Sequence, residues 1–114
     1  SYLQMGAAGC QLGTRFVCAE ESIAHANFKQ AFIRAAARDA TPSVQYDPDF
    51  PVIPVRAITN KASEDFTRMQ KETVEKFRAG ELDKLSAQLA IEHYWAGALR
   101  RAVIEGDVER GSLM

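Results

Sequence analysis

The chain has 114 residues, of which 46% are hydrophobic and 25% are charged, and its formal net charge is −1. This balance is typical of a globular domain, and it excludes a broad positive surface that would attract nucleic acid or an anionic membrane. No apolar run approaches the ~20 residues of a membrane-spanning helix, and the first residues lack the charged and apolar regions of a signal peptide.

The chain opens with two predicted elements. Ser1 to Met5 has the pattern of a last helical turn, and Gly6 is suited to cap it. Gly9 to Leu12 is short and mostly apolar, which is typical of a strand buried on both faces. Gly13-Thr14 interrupts this strand, and the segment from Arg15 to Cys18 is expected to continue it.

The two cysteines, Cys10 and Cys18, lie in this predicted strand and its exit. Eight residues of extended chain would hold them ~26 Å apart, which is too far for a disulfide. We therefore expect reduced, buried packing residues in a cytoplasmic protein. No second pair of ligands follows at zinc-finger spacing, so no metal site is predicted.

The middle of the chain combines one helix with an irregular stretch. Asn27 to Ala37 is predicted to be helical, because apolar residues share one face at Phe28, Ala31, Phe32 and Ala35. Residues 39–54 contain all four prolines, which favours a loop or a short edge strand. Residues 52–58 are predicted to form one extended piece.

Two helical regions complete the chain. Asn60 is predicted to cap a helix that reaches about Ala79 and ends at Gly80. Its buried stripe is expected to consist of Phe66, Met69, Thr73 and Phe77. Residues 82–104 form the third helical region, in which Gly97 predicts a break near Ala96, and Gly106 is expected to cap its end.

This pattern contains one strand and three or four helices. A lone strand cannot satisfy its backbone hydrogen-bonding groups without neighbouring strands. Either partner strands lie in sequence beyond this chain, or the opening segment is not a strand.

The segment around Gly13 has features of an anion-binding site. A strand that ends in Gly-Thr exposes backbone N–H groups, and together with a hydroxyl these form a nest for an anion. Ligands of parallel α/β folds collect at the carboxyl ends of strands, where barrels often hold a phosphate. Gly13 would allow close approach, Thr14 would donate its N–H and hydroxyl, and Gln11 would point an amide into the barrel mouth. The pattern alone fits a tight turn with a packed glycine equally well.

The sequence GAAGCQLGTRFV, from Gly6 to Val17, resembles the last barrel strand of the nitronate monooxygenase family, also called 2-nitropropane dioxygenases. The same superfamily contains enoyl-acyl carrier protein reductase II. The resemblance covers essentially the whole chain and ends on the pattern G-D-V-x-x-G-S-x-M, from Gly106 to Met114.

The resemblance implies an α/β fold: the C-terminal fragment of a TIM-like barrel with an appended, mainly helical subdomain. It implies three segments: the last barrel strand, phosphate loop and following helix (1–39), a proline-rich linker (40–59) and a helical subdomain (60–114). It places Gln11, Gly13 and Thr14 at the phosphate of non-covalently bound FMN, and it adds Ser112, near the same barrel mouth, as a cofactor-binding residue.

Two departures from the family pattern affect the expected activity. The catalytic histidine of the family lies in a glycine-rich segment upstream of the last strand, and neither this segment nor the family's other phosphate loop has a match here. Family members also continue past Met114. The chain is therefore expected to be a fragment that contains no catalytic residue and is inactive alone.

By resemblance, the parent protein is an FMN-dependent oxidoreductase. A nitronate monooxygenase passes electrons from a nitronate to the flavin and on to oxygen. The alternative, enoyl-acyl carrier protein reductase II, takes hydride from NAD(P)H and reduces an enoyl thioester. A third alternative is a non-catalytic helical fragment or interaction module. The expected partners are a small-molecule substrate and the remainder of the barrel. The sequence leaves open whether the protein forms a homo-oligomer.

Several side chains have two alternative roles. His25 follows two acidic residues, but a capping or packing histidine is favoured over a base. His93, Tyr94 and Trp95 either wall a substrate pocket or belong to the core and its rim. Arg15 and Arg56 lie where they could face either a phosphate or solvent.

Overall fold

The computed structural model describes residues 1–114 and is a small, mainly helical domain with a two-stranded sheet. Its elements in chain order are α1 (Thr14–Val17), α2 (Ala26–Arg34), a short 3-10 helix (Ala37–Asp39), β1 (Ala40–Pro42), β2 (Arg56–Ile58), α3 (Lys61–Arg78) and α4 (Lys84–Val103). None of the helices combines the length and the apolar character that crossing a membrane requires.

Helix α3 has the limits that the sequence predicts. The Asn60 side chain accepts a hydrogen bond from the Ser63 N–H, and the Ser63 hydroxyl accepts one from the Asn60 N–H, which forms a capping box. Gly80 follows the helix with a φ of 78°, a backbone conformation that glycine adopts without steric cost. Phe66 and Thr73 of the predicted stripe are buried.

Helix α4 is continuous, so the predicted break near Ala96 is wrong. Gly97 lies within the helix, and the buried residues Ala98 and Ala102 follow it on the face that packs inward. Tertiary packing of this face outweighs the cost of about 1 kcal/mol for one helical glycine. At the other end Asp83 caps the helix, and hydrogen bonds from the backbone and hydroxyl of Ser86 lower the pKa of its carboxyl.

The main core lies between α3 and α4. Phe66 is 1% exposed, and its ring centroid lies 5.5 Å from that of Tyr94 and 4.3 Å from that of Trp95. Phe50, from the proline-rich loop, packs edge-on against Phe77 at 5.0 Å. The aromatic residues therefore join the two helices and the loop into one unit.

The proline-rich loop is held against α3 by buried polar side chains. Gln70 is 1% exposed, accepts a hydrogen bond from the Tyr46 N–H and donates one to the Val44 carbonyl. Asp47, which is 5% exposed, forms an ion pair with Arg78 at 2.5 Å. These contacts fix the loop although it contains little regular structure.

In the proline-rich stretch, where a loop or a short edge strand was expected, only residues 40–42 form a strand. β1 and β2 are antiparallel, with Ala40 opposite Ile58 and Pro42 opposite Arg56. Leu113 adds a single antiparallel bridge to Ile58, whose N–H donates to the Leu113 carbonyl at 3.0 Å. The closing segment of the chain is thus attached to β2.

A second, smaller core joins α2 to the end of α4. Its buried members are Phe28, Ala102 and Leu113. Helix α2 confirms the predicted apolar face, but it ends at Arg34, and the 3-10 helix follows after two residues. The His25 N–H donates to the Val103 carbonyl at 2.8 Å, which anchors the start of α2.

The opening segment differs most from the expectation. Ser1 to Met5 forms turns, although Gly6 has the predicted positive φ, 97°. Residues 9–12 form no strand, and the segment expected to continue it is the short helix α1. The physical reason is that no other part of this chain supplies a partner strand.

Cys10 is exposed and Cys18 half-buried, so burial of Cys10 was predicted wrongly, and both thiols are free.

This opening segment exposes apolar side chains along its whole length. Every residue from 1 to 16 is exposed, including Tyr2 (73%), Met5 (82%) and Phe16 (66%). The radius of gyration is 16.7 Å, whereas a compact domain of this length has about 13 Å. We define residues 1–16 as the N-terminal arm. It presents more apolar surface than isolated surface residues usually do.

The phenol of Tyr94 should lose its proton at a higher pH than a free tyrosine does. Burial, and then the negative charge of Asp65, raise the pKa of Tyr94 above 10.0. The folded state binds the phenol proton of Tyr94 more tightly than the unfolded state does. The contribution of Tyr94 to the free energy of unfolding is therefore complete below pH 10 and is lost as the pH rises through the raised pKa. A phenolate absorbance titration of the wild type minus that of Tyr94→Phe should give a midpoint above 10.0. The midpoint should fall in Asp65→Asn, and a wild-type midpoint at or below 10.0 would contradict the structure.

Candidate functional site

The predicted phosphate residues of the opening segment are accessible. Gln11, Gly13 and Thr14 are all exposed, and a Cβ added at Gly13 would meet no atom within 4 Å. Gly13 precedes α1, and the first N–H groups of a helix have no intrahelical acceptor. A glycine, free N–H groups and a hydroxyl are therefore available together at this position.

Thr14 lines an open cavity of about 330 Å³. Arg56 is the only charged residue in its lining, and its Nη2 donates to the Ala37 carbonyl at 3.3 Å. The remaining walls are apolar and come from α2 and the residues that follow it, the sheet and the closing segment: Phe32, Ala35, Ala36, Ala37, Ala40, Ile58, Leu113 and Met114. The structure thus brings Thr14 next to one cation and to the end of the closing motif. Gln11 and Ser112 do not line this cavity.

Ser112 has a different position from the opening residues. It is 4% exposed, and its N–H donates to the Ala98 carbonyl on α4 at 2.8 Å. Its neighbour Leu113 lines the Thr14 cavity, so Ser112 lies beside the cavity wall and holds the closing segment against α4.

The closing segment is a tight turn fixed from two sides. The Gly111 N–H donates to the Asp107 carbonyl at 2.9 Å, and the Ala62 N–H donates to the Glu109 carbonyl at 3.0 Å. The Asn60 Nδ2 group donates to the Val108 and Gly111 carbonyls, both at 2.8 Å. The residue that caps α3 therefore also positions the turn that carries Leu113 and Met114.

The two histidines have structural or solvent-exposed positions. His25 caps α2, because its Nδ1 accepts a hydrogen bond from the Asn27 N–H at 3.1 Å, and this confirms the favoured role. Its ring also packs on Gly106, which has a φ of 73°. His93 is exposed, while Tyr94 and Trp95 pack against the main core. No group of three or more His, Cys, Asp and Glu side chains is placed to hold a metal ion.

Two residues near the candidate site received no definite role from the sequence. Met114 lines the Thr14 cavity and also a second cavity, between residues 51–55 and α4. Arg56 is the cation of the Thr14 cavity. The only sequence signal for Met114 is its place at the end of the G-D-V-x-x-G-S-x-M motif.

Comparison with known proteins aligns the chain with part of a longer protein. No family model matches the sequence, and no curated protein matches it. Among solved structures, FabK from Thermotoga maritima matches with 31% identity and a TM-score of 0.68, covering 98% of this chain and 30% of FabK. A single-residue mutant of the same FabK matches with 29% identity and a TM-score of 0.59, covering 96% and 27%.

The chain resembles a section of FabK. At 31% identity the similarity extends beyond fold alone. The chain spans about 30% of the length of FabK.

Proposed function

We propose that this chain is part of an FMN-dependent oxidoreductase with a TIM-like barrel, and that the parent protein is a nitronate monooxygenase of the cytoplasm. The observation that carries the class of function is the match to FabK over 98% of the chain at 31% identity. The nitronate reaction rests on the resemblance of residues 6–17 and 106–114 to that family.

The proposed FMN phosphate site consists of Gln11, Gly13 and Thr14. Their exposure, the space beside Gly13 and the free N–H groups before α1 fit the chemistry of a phosphate. Arg56, in the same cavity as Thr14, supplies a positive charge that favours a dianion. Ser112 contributes by holding the closing segment beside this cavity. Bound FMN would supply the redox-active ring, while these residues hold and orient it.

We propose that the N-terminal arm packs against the remainder of the barrel, which also supplies the catalytic residue. The exposed apolar side chains of the arm support this, because contact with further strands would bury them. Each Å² of apolar surface buried in this way would stabilise the assembly by about 25 cal/mol. The segments 1–39, 40–59 and 60–114 would then be the last strand with its helix, the linker and the helical subdomain.

The alternative reaction is that of enoyl-acyl carrier protein reductase II, with NAD(P)H as the second cofactor. The specific observation that bears on this alternative is that the chain matches two structures of FabK, which is an enoyl-acyl carrier protein reductase II. Two assays on the parent protein separate the reactions: oxygen consumption that depends on a nitronate, and NAD(P)H oxidation that depends on an enoyl thioester.

The class of function is tested by FMN binding. Native mass spectrometry of the parent protein should detect one FMN per polypeptide. Thr14→Val should weaken FMN binding roughly 10- to 100-fold, since it removes a hydrogen bond to a charged group. Thr41→Val, the same change at an exposed position in β1, should leave FMN affinity unchanged. A protein without affinity for FMN would contradict the proposal, and an unaltered affinity in Thr14→Val would remove Thr14 from the site.

A further inference from the structure

A second cavity, of about 340 Å³, lies between residues 51–55 and α4. Most of its lining is apolar, including Val52, Ile53, Val55, Trp95 and Met114. Its volume is at the lower end of small-molecule pockets, which occupy ~300–1,000 Å³. The cavity shares Met114 with the Thr14 cavity but none of its other lining residues.

The walls of this cavity are held in place by hydrogen bonds at both ends of the loop. At one end the Gln88 Nε2 donates to the Pro51 carbonyl at 3.3 Å. At the other, the Ser43 N–H donates to the Val55 carbonyl at 2.8 Å, and the Val55 N–H donates to the Ser43 hydroxyl at 3.1 Å. Val52 and Trp95 pack against the main core. A ligand would therefore bind to a preformed site, and little conformational entropy of the loop would be lost on binding.

The lining is mainly apolar, and its one charged side chain disfavours an anion. Ile53 is 84% exposed at the edge of the cavity, although burying such a side chain is favourable. The two polar residues of the lining interact with each other, because the Gln88 Nε2 lies 3.2 Å from Glu92 Oε1. No cation lines the cavity, and the Glu92 carboxylate would repel an anion.

We propose that this cavity binds the alkyl chain of an uncharged small molecule, with Ile53 closing over the chain and Trp95 forming one wall. The inference concerns a cavity that shares only Met114 with the Thr14 cavity, and it does not depend on FMN binding. Two other occupants are possible outcomes of a test: another segment of a longer chain, or a second copy of this one.

Trp95 is the only tryptophan of the chain, so all tryptophan fluorescence comes from this residue, which lines the proposed cavity and also a smaller one between the sheet and α3. The probe is a terminally brominated decanol, because bromine quenches tryptophan fluorescence on contact. The protein is titrated with and without FMN, so that a failure of the flavin proposal does not affect the result. We expect saturable quenching, which plain decanol reverses by competition. An absence of saturable quenching would overturn the proposal.

A matched pair of variants locates the binding. Ile53→Asp places a charge at the edge of the cavity, and its high exposure makes the substitution compatible with folding. It should weaken binding of the brominated probe at least about tenfold. Ile23→Asp makes the same change at a residue that is 94% exposed and outside the cavity, and it should leave the affinity unchanged. Equal affinities in the two variants would overturn the assignment of the site.

Discussion

Replacing Gly111 with alanine is expected to destabilise the protein by about 3 kcal/mol, at the upper end of the cost of overpacking. A Cβ at this position would lie 2.4 Å from the Ala102 backbone nitrogen and 2.5 Å from the Asp107 carbonyl oxygen. Neither atom belongs to a flexible side chain, and Ala102 is completely buried in α4. Relief of the clash requires the closing turn to move away from the helix, which would break the Ser112–Ala98 hydrogen bond.

The control for this prediction is Gly97→Ala. This glycine lies inside α4, and the nearest atom to an added Cβ is the Arg101 Nη1 at 3.5 Å, an ordinary contact with a flexible side chain. The same substitution should therefore stabilise the protein by up to about 1 kcal/mol, because alanine has the higher helix propensity. Urea unfolding measures both variants. Similar free energies of unfolding for Gly111→Ala and the wild type would show that the turn does not pack on α4 as described.

The parts of the fold that the sequence predicts well are those with local signals. The limits of α3 follow from Asn60 and Gly80, which act within a few residues of the helix ends. The apolar face of α2 likewise follows from the spacing of Phe28 and Phe32 within one helix.

The failures share a different cause, which is that the deciding contacts are distant in sequence. Helix propensity alone predicts a break at Gly97. In the structure, burial of Ala98 and Ala102 keeps α4 helical through that position. The apolar run at residues 9–12 fits a buried strand, yet a strand exists only where a second strand pairs with it. This chain pairs its strands elsewhere, at β1 and β2.

The candidate site shows the same division. The exposure of Gly13 and Thr14 fits the break that Gly13-Thr14 predicts, although the sequence predicts strand after it and the structure has α1 there. The neighbours of Thr14 in its cavity, Arg56 and Met114, come from segments more than 40 residues away, and no pattern within the sequence joins them. The closing turn supplies this connection, so the contacts that fix the turn matter for both cavities.

Replacing Asn60 with alanine should cost about 3 kcal/mol for this reason. The side chain caps α3 through the Ser63 N–H, which is worth about 1 kcal/mol. Its Nδ2 group also donates to the carbonyls of Val108 and Gly111, and each of these hydrogen bonds contributes about 1 kcal/mol. Besides a lower free energy of unfolding, the variant should show faster amide exchange at Ile58, whose N–H is bonded to Leu113.

The variant Asn60→Asp separates the two roles of this side chain. Aspartate is as good an N-cap as asparagine, and its charge favours the start of a helix. It has no N–H group, however, and would place a carboxylate oxygen where Nδ2 now lies 2.8 Å from two carbonyl oxygens. We therefore expect Asn60→Asp to be at least as destabilising as Asn60→Ala. If it retained wild-type stability and slow exchange at Ile58, capping alone would explain Asn60, and the position of Met114 beside both cavities would have to depend on other contacts of the turn.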